Sequence, residues 1–256
     1  MHTQTVKPHK LLYTAVRVSL MMAATAVILL FLAGVGYRMQ WWELGTAFEL
    51  LRWAAYVGMA AAVVGAIATA LLLWFGPRIL AALASAAVLA GAIGAAVPYV
   101  WQQQARSVPP IHDISTDTEA PPAFVAIAPL RQGAPNPVDY AGEETAKAQR
   151  EAYPDIQPLR FAASSERVFL AAADAAAELG WELVEINENQ GRIEATDTTR
   201  WFGFKDDVVI RIKADNGQTR LDVRSKSRVG RSDVGTNAKR IRQFRKVLAA
   251  KLAPEY

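Results

Sequence analysis

The chain has 256 residues, 52% of them hydrophobic and 20% charged, with a formal net charge of +4; that length suits one or two domains. It has no cysteine, which excludes disulfides, thiolate metal sites and cysteine nucleophiles. Its charge is split: residues 1–106 carry seven Lys/Arg and two acids, and the rest carry 21 and 22, so the basic pI does not mark a clustered nucleic-acid-binding face.

Residues 18–37 form the first apolar run and are long enough to cross a bilayer core at ~1.5 Å per residue. Arg38-Met39-Gln40-Trp41-Trp42 follows where a signal peptide would show small residues and a cleavage site, so an uncleaved span is expected. Two further runs, 53–74 and 79–101, are separated by Phe75-Gly76-Pro77-Arg78, a strong helix stop that makes them a hairpin. Lys7, Lys10, Arg17 and Arg78 fall on one side of these spans. Arg38, Arg52 and Arg106 fall on the other, diluted by Glu43 and Glu49. The bias predicts a cytoplasmic N-terminus and, after three spans, a C-terminal part outside the cytoplasm. No ionisable residue lies deep in a span, which argues for an anchor and against a transporter or channel. Gly58/Ala62/Ala66 and Ala87/Gly91/Ala95 have the four-residue spacing of close helix packing, within one bundle or in a homo-oligomer.

Nine of the thirteen prolines fall within residues 109–158. This segment predicts an extended strap over 107–160, packed on the following domain, with a short strand near 111–116 or 124–127 and a polar helix over 143–152. A helix follows, capped by Ser164 or Ser165, with a stripe of Val168, Phe169, Ala172, Ala175, Ala176 and Leu179, and stopped at Gly180. Four strands are expected at 181–186, 192–197, 208–213 and 219–225, with Asp215-Asn216-Gly217 as a hairpin turn. The last helix is expected over 234–252, with a stripe of Val234, Ala238, Ile241, Phe244/Arg245, Leu248 and Leu252. The fold class is therefore an α-helical membrane anchor of three transmembrane helices (1–106), then an α+β domain (107–256). That domain has a four-stranded or larger antiparallel sheet with two helices on one face.

Four stretches carry a family resemblance: IHDISTDTEAPPAF (111–124), YPDIQPL (153–159), GFKDDVVIRI (203–212) and RSKSRVGRSDVGTNAKRI (224–241). Together they resemble the signature blocks of the domain-of-unknown-function 1499 family, over about residues 107–252. The resemblance implies a bacterial envelope domain but no reaction, because the family has no established activity. Its strands around helices are also similar to small helix-grip lipoprotein domains that act as binding modules, a fold-level analogy.

Three candidate sites follow from the residues. Arg228, Arg231 and Ser232, with Asp206, Asp207 and Trp201 nearby in sequence, could form a ligand site where the last helix begins, since a helix N-terminus favours an anion. The competing reading makes Ser232 or Asp233 a cap and pairs the arginines with Asp206, Asp207 or Asp222. His112, Asp113 and Asp117 offer oxygen and nitrogen ligands for a divalent metal, although their spacing matches no ligand motif. There is no Gly-x-Ser-x-Gly elbow. Trp181, Trp201, Phe202 and Phe204 either line a groove or close the core. Charge is also complementary along the chain: residues 107–199 hold 6 bases and 16 acids, and residues 200–256 hold 15 and 6, so the acidic strap and first helix are expected against the basic sheet edge and last helix.

These features point to a multi-pass protein of the bacterial inner membrane whose periplasmic domain binds a protein, lipid or wall component, with the bilayer itself as partner. No cofactor and no nucleic acid are called for. The alternative is a metal-dependent or acid/base hydrolase acting on an envelope substrate.

Overall fold

The computed structural model describes residues 8–253. Lys7, one of the basic residues flanking the first span, lies outside them. The chain divides into two compact units, Met1–Gln103 with Trp201–Gly203, and Gln104–Arg200 with Phe204–Tyr256.

The first unit contains α1 (Pro8–Arg38), α2 (Leu44–Phe75) and most of α3 (Arg78–Ser107). All three helices are long and apolar enough to cross a membrane, with mean hydropathy of 2.5, 2.2 and 2.2. Each is longer than the apolar run that announced it, because helix continues through polar flanks such as Gln102–Ser107 without a stop signal. Packing is inverted relative to a water-soluble bundle. Ala26, Ala33, Ala54, Ala61, Ala84 and Ala87 are fully buried, whereas Met21, Phe31, Ile67, Leu73 and Leu89 point outward. Small residues inside let helix backbones approach, and the large apolar side chains are left to lipid. Gly58 and Gly91 show this directly. A Cβ on Gly58 would sit 2.5 Å from the Gly91 carbonyl oxygen, and one on Gly91 would sit 2.6 Å from that of Gly58. The small-residue spacing in α2 and α3 thus serves the crossing of these two helices within one chain.

The second unit is an antiparallel sheet of six strands with helices. In chain order it has β1 (Asp113–Ser115), α4 (Glu143–Ala152), β2 (Leu159–Phe161), α5 (Ser165–Glu178), β3 (Glu182–Asn187), β4 (Arg192–Thr198), β5 (Lys205–Asp215), β6 (Gln218–Ser227) and α6 (Thr236–Leu252). The strand order is β1-β6-β5-β4-β3, and β2 pairs with β6 beside β1. Four strands follow the sequence alternation. The two added strands have three residues each, too short for a period-2 pattern to register.

Local chemistry sets the boundaries. Ser164 Oγ accepts the Arg167 N–H at 3.3 Å and caps α5. Asn216 and Gly217, at φ 52° and 79°, form the two-residue turn joining β5 to β6. The last helix starts at Thr236, two residues later than the apolar stripe suggested, because Val234 adopts φ 55° and Gly235 φ 81°. Asp233 holds that turn, accepting from Gly235 N and Asn237 N, each at 2.8 Å. Positive φ at a β-branched residue is strained, and these carboxylate bonds stabilise it.

The sheet has two different faces. On one, Ile193, Ala195, Val208, Ile210, Leu221 and Val223 pack against Val168, Phe169 and Ala172 of α5 and Ile241, Phe244 and Leu248 of α6. Trp181 stacks on Phe244 at 5.4 Å between ring centroids, so it belongs to this core. Arg245, which shared a stripe position with Phe244, is exposed and donates to the Asp155 carbonyl. The other face is covered by the proline-rich segment between β1 and α4. There Phe124 and Ile127 pack on Val209, and no strand forms over 124–127. Instead the buried Glu194 carboxylate accepts the N–H groups of Val125, Ala126 and Ile127 at 2.8, 3.1 and 2.8 Å. A side chain from β4 takes the place of a partner strand.

Candidate functional site

Strand alternation puts Asp207, Val209 and Arg211 of β5 on the strap-covered face, opposite Lys226, Arg224 and Asp222 of β6. Five charged residues in two adjacent strands would be costly to cover unless each found a partner. The strap supplies partners for Asp207, Arg211, Arg224 and Lys226, and Asp222 pairs within the sheet with Arg211 and Arg220.

Asp113, fully buried on β1, accepts from Arg224 Nε and Nη2 at 2.9 Å each and from Lys226 Nζ at 3.0 Å. Lys226 also donates to the Asp139 carbonyl. Burial holds the Lys226 ammonium below its usual pKa, against the opposing pull of Asp113. The Arg224 guanidinium lies over the Phe124 ring at 4.9 Å. Beside it, the Tyr140 hydroxyl is buried without a hydrogen-bond partner among the described residues, and burial, then Asp113, push its pKa up to about 12.

Asp207 is the second node. Its carboxylate accepts from Arg131 Nη1 at 2.6 Å, from Arg228 Nε and Nη2 at 2.8 Å each and from Thr196 Oγ1 at 2.7 Å. Arg131 comes from the strap and also donates to the carbonyls of Asn136 and Ser227, at 3.0 and 3.1 Å. Asp117 is the third node, accepting from Arg211 Nη2 and Arg220 Nη2 at 2.8 Å each. Burial pushes its pKa up, but bonds from the Ala120 and Glu119 N–H groups and the two arginines outweigh that and leave it below the usual carboxylate range.

Asp206 points to the opposite face. It pairs at 2.7 Å with Arg240 of α6, which also binds Asp197 at 2.8 Å and donates to Ser225 Oγ and Asn237 Oδ1. The fully buried Asn237 ties this cluster to β1, donating to the His112 carbonyl and to Ser227 Oγ at 3.0 Å each. The adjacent pair Asp206-Asp207 is therefore split between two sites on opposite sides of the sheet.

The structure gathers only some of the residues singled out from the sequence. Arg228 joins Asp207. Arg231 is exposed and has no ion pair among the described residues; its carbonyl stands 3.4 Å from His112 Nδ1. Ser232 Oγ accepts the Val234 N–H at 3.1 Å, and Asp233 occupies the start of α6, where an anion would bind. Burial raises the pKa of Asp233. His112 is half-buried and burial lowers its pKa. Asp113 and Asp117 each face two cations, and among the described residues no three His, Asp or Glu side chains come together as metal ligands. Trp201 falls in the first unit, edge-on to Trp101 at 6.1 Å; the neighbouring Phe202 is buried near Tyr37 and Phe48.

Arg131, Arg240, Glu194 and Gln149 do as much to organise the second unit and were not singled out. Gln149 is fully buried for its size and binds both the N–H and the carbonyl of Ser115, at 2.9 and 2.6 Å, like a strand partner. The complementarity expected from the charge counts is present, in the strap-to-sheet pairs and in Asp155 with Arg242 and Glu178 with Lys251.

Against known proteins, a family model described as a protein of unknown function, DUF1499, matches residues 113–248, more than half of the chain. No curated protein sequence matches it.

Proposed function

We propose that this chain, which belongs to the DUF1499 family of proteins of unknown function, is a membrane-anchored binding protein. Three spans hold its C-terminal domain outside the cytoplasm, where that domain engages a component of the cell envelope. The N-terminus is cytoplasmic in this reading, and the domain comprises about residues 107–256.

The observation that carries the reading is the character of the membrane unit. Its buried positions are alanine, glycine and a few larger apolar residues, and the one buried polar residue among the described ones is Ser19. Carriers and channels place ionisable groups inside the bundle; this packing suits an anchor. In the second unit, Asp113, Asp117, Asp206 and Asp207 are each bound to one or two cations. A carboxylate saturated by guanidinium bonds has few lone pairs left to act as a base or hold a metal, which favours binding over hydrolysis.

Crosslinking in intact cells tests this. A lysine-reactive crosslinker that does not cross the cytoplasmic membrane is expected to react at Lys213, Lys239 and Lys246, all exposed, and to join the domain to one recurrent envelope component. Reaction only after membrane disruption would contradict the reading.

A further inference from the structure

The two edges of the sheet are treated differently. The β6 edge is closed along its length. β1 and β2 pair with it in tandem, Thr116 bridges them by exchanging bonds with Val223 at 2.9 Å, and the Gln149 amide caps the outer side of β1 at Ser115. The opposite edge is β3, which among the described residues pairs only with β4. A strand edge presents unpaired N–H and C=O groups, and proteins normally cover or blunt it. Here a bulge between Leu183 and Glu185 interrupts one end and leaves 185–187 regular.

The side chains along β3 also differ by face. On the helix side, Leu183 is half-buried and Ile186 is 53% exposed, although its partner Ile193 is fully buried. On the other side, Glu182 and Glu185 stand opposite Thr196 and Glu194. Arg192 holds Glu185 at 2.6 Å, whereas Glu182 and the following Glu188 are exposed without an ion pair among the described residues.

We infer that the free edge of β3 is a strand-addition site for an extended segment of a partner protein that alternates apolar and basic residues. Apolar side chains of the added strand cover Ile186 and Leu183; its lysines or arginines meet Glu182 and Glu185, and Glu188 in the turn just past the strand. Main-chain bonds supply affinity and side-chain alternation supplies selectivity. A second copy of the chain is a poor occupant, because β3 against β3 would line up both sets of glutamates, and like charges across strands repel. The inference deepens the binding role proposed above by naming a protein partner, and the crosslinking experiment tests that role separately.

The test uses the full chain in nonionic detergent micelles and a fluorescein-labelled heptapeptide alternating valine and lysine. Binding should slow hydrogen exchange at the amides of 183–187, and the peptide alternating valine and glutamate should bind roughly tenfold or more weakly, a ΔΔG of about 1.4 kcal/mol. Glu182→Lys with Glu188→Lys should reverse that preference. N-methylating alternate residues along one edge of the lysine peptide should abolish binding, and along the other edge should leave it, a contrast that does not depend on how any variant folds. Equal binding by both N-methylated peptides, protection outside β3, or no binding would overturn the inference.

Discussion

Asp207→Asn removes the charge from one of the most heavily bonded carboxylates in the domain. Asp207 is fully buried and accepts four hydrogen bonds, three of them from Arg131 and Arg228. The Arg131 side chain is 1% exposed and cannot turn to water. Breaking a buried pair by removing one partner costs about 3–5 kcal/mol, because the other charge stays buried and uncompensated. For a domain of this size each kcal/mol lowers the melting temperature by about 2–4 °C, so a fall of roughly 10 °C is expected. The control is Asp155→Ala. It breaks a pair with Arg242 whose side chains are 42% and 40% exposed, and such surface pairs are worth about 0–1 kcal/mol. Thermal melts of the full chain in detergent, followed by far-ultraviolet circular dichroism, compare the two. Melting of Asp207→Asn within about 2 °C of wild type would show that the buried pair does not carry this stability. A variant that keeps its melting point but loses the crosslinked partner would make Asp207 a functional acid instead.

Other substitutions probe other levels of the fold. Gly58→Leu puts a side chain into the Gly91 carbonyl and should prevent α2 and α3 from closing, read as loss of the melting transition of the membrane unit. Val234→Asn relieves positive φ at a β-branched residue and should raise stability by about 1 kcal/mol in chemical denaturation. Asp117 has a depressed folded-state pKa, so its stabilisation is present above the ordinary carboxylate range and disappears as pH falls through the folded value. The stability difference between wild type and Asp117→Asn should therefore be full at neutral pH and close in acid; a difference that grows on acidification would contradict the sign. Asn237→Ala strips buried partners from Ser225, Ser227 and Arg240 and should cost about 1–3 kcal/mol.

Elements with local signals could be read from the sequence. The α5 stripe of Val168, Phe169, Ala172, Ala175 and Ala176 is the buried face, and Asn216-Gly217 fixes a turn whose geometry needs only those two residues. Glu143–Ala152 is helical as its composition suggested. What could not be read is non-local. β1 and β2 exist because β6 has an edge to fill, and neither is long enough to show a period. Burial of charge was also hidden. Glu194 and Arg240 sit at positions where periodicity assigns solvent, yet both are buried because a strap backbone and two aspartates reach them. A faint signal existed for Glu194, which shares its strand face with Thr196 and, across the ladder, with Asp207 and Val209. Val234 continues an apolar spacing but lies in a turn, because Asp233 and Gly235 dictate the backbone there.

In the orientation proposed above, three spans display the domain on the far side of the membrane from a cytoplasmic N-terminus. A reporter enzyme active only outside the cytoplasm, fused after residue 256, tests it directly. The fusion is expected to be active, and the same reporter fused in the Gly76-Pro77 turn inactive. An inactive C-terminal fusion with an active one at Gly76-Pro77 would invert the orientation and contradict the account.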